Sequence, residues 1–463
     1  KDSIVCGNAL LFDWGSICPP LGTDFKDAVA DKPLQSRYDS VEINHDFNSN
    51  DVGDVYVCGN PPYKGSKYQT IAQKASLAKA WFKHPNLAKT TDFASGWIAK
   101  YLQYSNKVSR VSAAFVTTNS LCQGQQASEI WPIIYKYGQE ITFAYKPFVW
   151  SNSATNNAGV TVIIIGLGKK TFSSKTLFDK DQIRECSTIG PYLVPDSTDV
   201  VVKSNQPIGQ HGRMLFGNMP RDGGHLFLTS YEANEIRKDI NASRFVRRFV
   251  GANELINGRE RYCLWIDDSN VDDAMRHPLI LEKLRLVEKS RRESKAKSTR
   301  DFADRPYRFV QIGGVAKENA ILVAGVSSEK REYLPADYFR ANSISSNKCF
   351  ALYDAPLWNL SLVVSRLHLI WISTVCVRMR SDFSYSNTLG WNTFPVPNLT
   401  AANQDDLTKA AEKILLVRKS FAPRTLGDLY DPNRMPSRLR DAHEYNDEIV
   451  EKIFIGRRFR SNS

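Results

Sequence analysis

No two cysteines in the sequence stand at metal-ligand spacing. Eight are scattered singly, at Cys6, Cys18, Cys58, Cys122, Cys186, Cys263, Cys349 and Cys376, with no CxxC pair and no Cys/His cluster. A structural zinc site is therefore not expected, nor any other metal. Most of these thiols sit in apolar runs, the usage of a reducing compartment, which points to the cytoplasm. Long uncharged hydrophobic runs are missing too. The most apolar long stretch, Leu357 to Val377, carries Arg366 and His368 near its middle, and lipid would penalise both. A buried core helix is expected there, and no membrane partner. The opening residues, Lys1 to Asp13, lack the ordered regions of a secretory leader. Internal repeats and low-complexity tracts are absent as well.

What is present describes an ordinary globular chain. At 463 residues it is long enough for two or three domains. Its 42% hydrophobic and 24% charged content argues against wholesale disorder. The formal net charge of +12 suits a polyanionic partner without selecting one.

Strand-like and helix-like segments alternate through the first 170 or so residues. Val55–Cys58 reads as a strand feeding a tight loop. Helical spacing follows at Gln69–Phe82 and Phe93–Leu102, a buried strand at Ala113–Thr117, and a helix at Gln125–Tyr137. Two more strands, Ile141–Tyr145 and Val160–Gly166, are joined by a polar loop without a helix. The alternation implies a parallel α/β sheet, and the last pair implies an antiparallel hairpin at the sheet edge. From about Gln206 the segments shorten and glycine-rich turns separate them. Beyond Pro397 helical spacing returns at Gln404–Ser420 and Leu439–Phe459. These shifts divide the chain into residues 1–200, 201–398 and 399–463.

The sharpest feature is Asn60-Pro61-Pro62-Tyr63, placed directly after the strand Val55–Cys58. At average residue frequencies this tetrapeptide arises by chance in about one such chain in several hundred. The carboxyl end of a strand is where open α/β sheets bind ligands. The residue types suit one task. An amino group on an aromatic ring is a poor nucleophile because its lone pair is delocalised. The Asn60 side-chain oxygen and the Pro61 carbonyl can accept its two hydrogens and favour a more tetrahedral nitrogen. The prolines hold both acceptors in place beforehand, and Tyr63 offers a flat face for stacking. The plain alternative is a Pro-Pro turn with Tyr63 as packing.

The tetrapeptide resembles the signature of methyltransferases that act on adenine N6 in DNA. Such enzymes flip the target base out of the duplex and hold it between flat or apolar side chains. The resemblance places a second stacking surface at Phe148, at the start of the loop joining the last two strands, with Trp150 competing and plain edge packing as the alternative. Much of the chain also resembles the MmeI-like, type IIG/IIL restriction-modification enzymes. The blocks that carry this are GNPPYKGS, FVTTNSLCQGQQ, WSNSATNNAGVTVIIIGL, MLFGNMPRDGG, FVGANELINGRERYCLWI, VSSEKREYLP, YDAPLWNLSLVVSRLHLIWI, YSNTLGWNTFPVP and LYDPNRMP, in order from about residue 59 to 436. The resemblance implies a partial Rossmann-like class I methyltransferase sheet, then an α+β target-recognition domain and a helical carboxyl-terminal region. It also implies S-adenosylmethionine as methyl donor and double-stranded DNA as partner.

In the resembling enzymes a glycine-rich loop ahead of the Asn-Pro-Pro-Tyr turn holds the cofactor, and no such loop precedes Asn60. The segment Ile4–Leu10 resembles a later strand whose tip touches the cofactor's adenine, which would put Asn8 in that role; a simple turn at Gly7-Asn8 is the alternative. The chain is accordingly expected to begin midway through the cofactor fold and to bind S-adenosylmethionine incompletely. An upstream segment of the same protein would supply the rest. No PD…(D/E)xK nuclease constellation is evident either.

Recognition needs phosphate contacts for affinity and base-edge contacts for specificity. The basic run Lys283, Arg285, Lys289, Arg291, Arg292, Lys295, Lys297 and Arg300 suits the first role, or is only a solvated helix face. For the second, Arg378, Arg380 and Asp382 would share one face of an extended strand, with a surface Arg380–Asp382 ion pair as the alternative. By resemblance this is the region where the family sets its target sequence. Three readings thus stand: a DNA adenine methyltransferase, a methyltransferase of a protein glutamine or RNA base, and a DNA-binding specificity module without catalysis of its own.

Overall fold

The structure is a computed structural model that describes residues 5–18, 54–108, 110–150, 160–379 and 381–459. The chain divides into two compact units, Lys1–Val202 and Lys203–Ser463.

The first unit contains, in order, α1 (Trp14–Ile17), β1 (Val55–Gly59), α2 (Ile71–Ala80), α3 (Ser95–Ser105), β2 (Val111–Thr118) and α4 (Gly124–Lys136). It continues with β3 (Gln139–Trp150), β4 (Val160–Lys169), β5 (Lys175–Asp179) and β6 (Gln182–Cys186). The strands form one mixed sheet in the order β1-β2-β4-β3-β5-β6. β1 and β2 run parallel, as a crossover through α2 and α3 requires. β4 is antiparallel to both of its neighbours. The expected β3–β4 hairpin therefore exists, but it lies inside the sheet and not at its edge. β5 adds to β3 in parallel and β6 to β5 in antiparallel, moving the edge two strands outward. Buried Leu77, Ile98, Tyr101, Phe115, Trp131 and Ile165 pack in the core that the helices share with the sheet.

Two local details shape the functional end of this sheet. α2 begins in a capping box, in which Thr70 accepts from the Gln73 amide and Gln73 reaches back to the Thr70 amide. Residues 5–10, expected as a strand, contain none. Asn8 instead makes a turn, its side-chain oxygen accepting from the Leu10 N–H at 3.1 Å and its carbonyl from Leu11 at 2.9 Å. A short polar side chain that bonds its own backbone two residues on competes effectively with a strand ladder.

The second unit opens with β7 (Met214–Phe216), β8 (Phe227–Leu228), α5 (Ser230–Arg237), β9 (Val246–Val250), α6 (Ala252–Asn257) and β10 (Tyr262–Leu264). Next come α7 (Val271–Met275), α8 (Pro278–Arg292), α9 (Lys297–Arg300), β11 (Asn319–Ala324), β12 (Val326–Ser327), β13 (Ala336–Arg340), β14 (Ser343–Ser345) and β15 (Cys349–Tyr353). It closes with α10 (Trp358–Val363), α11 (Arg366–Val375), β16 (Arg378–Met379), β17 (Asp382–Ser384), α12 (Ala401–Lys419), α13 (Leu426–Leu429) and α14 (Ser437–Ile455). Its sheets are small: β14-β9-β10-β8, β13-β11-β15-β7 and β12-β17-β16.

The apolar stretch 357–377 forms two helices and not one, α10 buried throughout and α11 buried along one side. Ser365 breaks it, capping α11 by accepting from the His368 amide. His368 is fully buried, and burial lowers its pKa to about 4, so the imidazole stays neutral at physiological pH. Among the described residues no helix is long and apolar enough to cross a membrane. α12 and α14 pack on each other and on α10. Asp447 of α14 also ties that helix to the start of α11, accepting from the Arg366 amide at 2.9 Å and the Tyr333 hydroxyl at 3.1 Å.

Candidate active site and recognition elements

β1 delivers Asn60 to the carboxyl end of the sheet. Because β2 is parallel to β1 and β4 antiparallel to β2 and β3, the carboxyl ends of β1, β2 and β3 lie along one margin. Asn60 is exposed, Pro61 buried and Tyr63 half-buried. The Tyr63 hydroxyl donates to the Asn60 side-chain oxygen. The amide oxygen has a second lone pair with which to accept a substrate N–H.

The turn is held from behind by residues that sequence spacing did not reveal. Asp92, 7% exposed, accepts from the Lys64 amide at 3.3 Å and the Ala94 amide at 3.0 Å. Its own amide donates to the Gln126 side chain at 2.9 Å. Gln69 bridges the Lys64 and Thr91 carbonyls at 2.8 and 3.0 Å, and the Phe93 amide donates to the Lys64 carbonyl at 3.0 Å. Burial raises the Asp92 pKa, and the two backbone amides only partly offset that. Burial likewise raises the Tyr63 pKa, with the nearby Asp92 charge adding to it. These partners lie from six to more than 60 residues beyond the motif, Asp92 about 30, with no periodicity linking them. The one cue was an Asp just ahead of a helix start, a usual capping position.

Beside the turn lies a cavity of about 470 Å³, walled by Trp14, Trp97, Tyr104, Phe115, Pro62 and Asn60, among others. Among the described residues, none of its lining side chains carries a charge. It offers a flat ring the apolar walls it needs. It does not fit the charged amino-acid end of S-adenosylmethionine, which requires ionic or multiply hydrogen-bonding partners. Asn8 is not among the lining residues; its amide nitrogen donates to Ser76 Oγ at 3.2 Å.

Phe148 lies within β3, opposite Val162 and just past a register shift, and not in a loop. It is half-buried, and its ring centroid stands 6.3 Å from that of Trp150. The bulge re-aims the end of the strand, so both rings sit at the margin that also carries Asn60.

The recognition residues are arranged differently from expectation. Arg378 and Asp382 do not share one face of a single strand, because β16 and β17 fold back on each other. Arg378 pairs with Phe383, and Met379 with Asp382. Directly opposite residues share a face, so Arg378 and Asp382 point to opposite faces. Arg378 bonds Glu329 at 2.8 Å and lies over the Phe383 ring. Arg380 lies outside the described residues. The basic run also differs from a uniformly solvated face. Arg291 is fully buried, Lys283 pairs with Glu232, and Arg292 pairs with Glu288 and Asp304.

The open-edged α/β sheet with its Asn-Pro-Pro-Tyr turn, followed by a module of small sheets and a helical end, defines a methyltransferase-type fold joined to a recognition-type module. Residues 1–179 match the profile of the DNA-methyltransferase domain of MmeI, 195–398 that of its target recognition domain, and 399–463 that of its C-terminal domain. The chain belongs to the MmeI family. It is 35% identical over 464 residues to DNA methyltransferase A of Bacillus subtilis (strain 168), a match covering 99% of this chain and 49% of that protein. The type IIL restriction-modification enzyme MmeI, solved in complex with DNA, is similar with a TM-score of 0.79 at 32% identity, covering 88% of this chain and 55% of that one. The chain thus spans about half the length of these relatives.

Proposed function

We propose that the protein is a site-specific DNA methyltransferase that modifies N6 of an adenine flipped out of the duplex. The observation that carries this reading is the placement of Asn60 and Pro61, an exposed acceptor beside a buried proline, directly after β1 at the carboxyl margin of the sheet. Asn60 Oδ1 and the Pro61 carbonyl accept the two amino hydrogens of the base. That localises the nitrogen lone pair and turns it out of conjugation, which is the activation the reaction needs. No strong base is required, because the nitrogen becomes acidic once methylated. Tyr63 stacks on the ring from one side, and Phe148 or Trp150 closes the other.

The donor class for the family is S-adenosylmethionine, which supplies an activated methyl group. The uncharged cavity at β1 leaves the donor's charged end to residues other than those that line it. Base reading falls to the second unit, at Arg378, Arg380 and Asp382. Arg378 is available to a base only when it releases Glu329. That same uncharged cavity supports a second reading, in which this chain binds DNA without transferring methyl groups by itself. A cytoplasmic setting suits both readings.

Analysis of the methylated nucleosides after reaction with unmethylated duplex DNA tests the reading. N6-methyladenine at one sequence supports it. N4-methylcytosine, or a modified protein glutamine or RNA base, sinks it.

A further inference from the structure

α8 buries Ile280, Leu284, Val287 and Arg291 along one stripe. Arg291 is 0% exposed and forms no ion pair within 4 Å among the described residues, although Asp222 favours its charge from farther away. Every N–H of its guanidinium meets a backbone carbonyl. Nε donates to Arg221 at 3.1 Å. One terminal nitrogen donates to Phe302 at 3.1 Å and Arg305 at 2.8 Å, the other to Pro220 at 2.9 Å and Arg308 at 2.7 Å. A guanidinium has five donors, and all five are used. Burying such a charge without an acid partner is costly. What the arrangement gains is geometry: two segments far apart in sequence turn their carbonyls inward onto one rigid fork.

Of the residues that supply these carbonyls, Pro220 is buried, Phe302 and Arg308 are half-buried, and two point into solvent. Arg221 and Arg305 are exposed. Arg221 also donates to Ser298 Oγ at 3.1 Å, which ties it to α9, beside the turn at residues 294–296. That turn is folded on itself by Arg300, which donates to the Ser294 and Lys295 carbonyls at 2.8 Å each. Exposed Lys295, Lys297 and Arg300 join Arg221 and Arg305. None of these five cations has an ion-pair partner within 4 Å among the described residues, whereas the neighbouring Arg292 and Arg308 are paired. Glu293 and Asp301 are the unpaired acids of the same segment, so cations outnumber them. Arginine forks match phosphate oxygens closely, and a lysine cannot reproduce that geometry.

We propose that Arg221, Lys295, Lys297, Arg300 and Arg305 form a surface for the phosphate backbone of double-stranded DNA, and that buried Arg291 is its positioning residue. The choice of DNA rests on the function proposed above. Arg291 touches no phosphate; it sets where the surface arginines stand.

Binding of the full chain to a DNA duplex, measured over a series of salt concentrations, tests this. Each phosphate contact contributes about 0.9 to the slope of log affinity against log salt. Arg221→Ala and Arg305→Ala should each reduce the slope by about one. Arg291→Lys keeps the charge but loses the fork, and should reduce the slope by about two, weakening all sequences alike. A folded Arg291→Lys protein with an unchanged slope overturns the positioning role, because a general charge effect would leave it unchanged. Should that variant fail to fold, the two surface variants decide. Unchanged affinity and slope in both sinks the surface while leaving the DNA reading in place. Failure of the unaltered protein to bind any duplex sinks the DNA reading, and this surface with it.

Discussion

Asp92 in the first unit and Arg291 in the second are both buried charges with no opposite charge within 4 Å among the described residues, and both bond backbone of loops that carry exposed working residues. They differ in how the burial is tolerated. Asp92 accepts two amides, and its raised pKa lets a proton relieve the remaining cost. Arg291 has no such escape: burial lowers its pKa only to about 10, so it stays charged at neutral pH and needs all five bonds. A carboxylate can hold a turn loosely, but a buried guanidinium must hold its loops completely.

The sharpest way to separate the two regions is to remove the group that the first one presents. Asn60→Ala should lower methyl transfer by about a hundredfold or more, with DNA affinity and its salt slope unchanged. Loss of DNA binding in that variant would merge functions that the two units keep apart. Arg291→Met should come next, leaving several carbonyls without donors and lowering stability by roughly 3 kcal/mol or more, as chemical denaturation would read. A loss under about 1 kcal/mol would mean that water replaces the guanidinium freely.

Asp92→Ala should cost about 1–3 kcal/mol for two stranded amides and lower turnover at saturating DNA by roughly tenfold, as expected of a slightly misplaced acceptor. Asp92→Asn keeps an acceptor and should preserve turnover while changing pH dependence. Because the folded-state pKa of Asp92 is raised, its contribution to stability is full below the ordinary aspartate value and is lost as pH rises through the raised one. The Asn variant should lack that decline, which melting temperatures from acid to neutral pH would show. An identical decline in both proteins would assign it to another group. Smallest of all, Tyr63→Phe should change turnover only a few-fold, since the ring still stacks and the Asn60 oxygen is freed; a collapse of activity would give the hydroxyl a role beyond occupying that acceptor.

The two regions also differed in how far the sequence revealed them. β1 and its turn were legible because a short apolar run ending in Asn-Pro-Pro-Tyr is a local signal. So was α2, from the helical spacing of Gln69–Phe82. The Asp92 clamp was not, since its bonds join segments about 30 residues apart. Arg291 was legible in principle: it continues the i, i+4, i+7, i+11 stripe of Ile280, Leu284 and Val287, but its place in a basic run hid that it belongs to the buried face. The β16–β17 hairpin was missed because a strand of two residues leaves no alternation to read. The sheet edge was misplaced because β5 and β6, five residues each with charged or polar ends, pair beyond the hairpin.

Transfer of a labelled methyl group from S-adenosylmethionine to unmethylated duplex DNA, compared between the protein and its Asn60→Ala variant, tests the central claim most directly. The account predicts label on adenine N6 in the first and near-background label in the second at equal DNA binding. Equal transfer by both would contradict the role given to the Asn60 turn, and with it the assignment of the chemistry to the carboxyl end of β1.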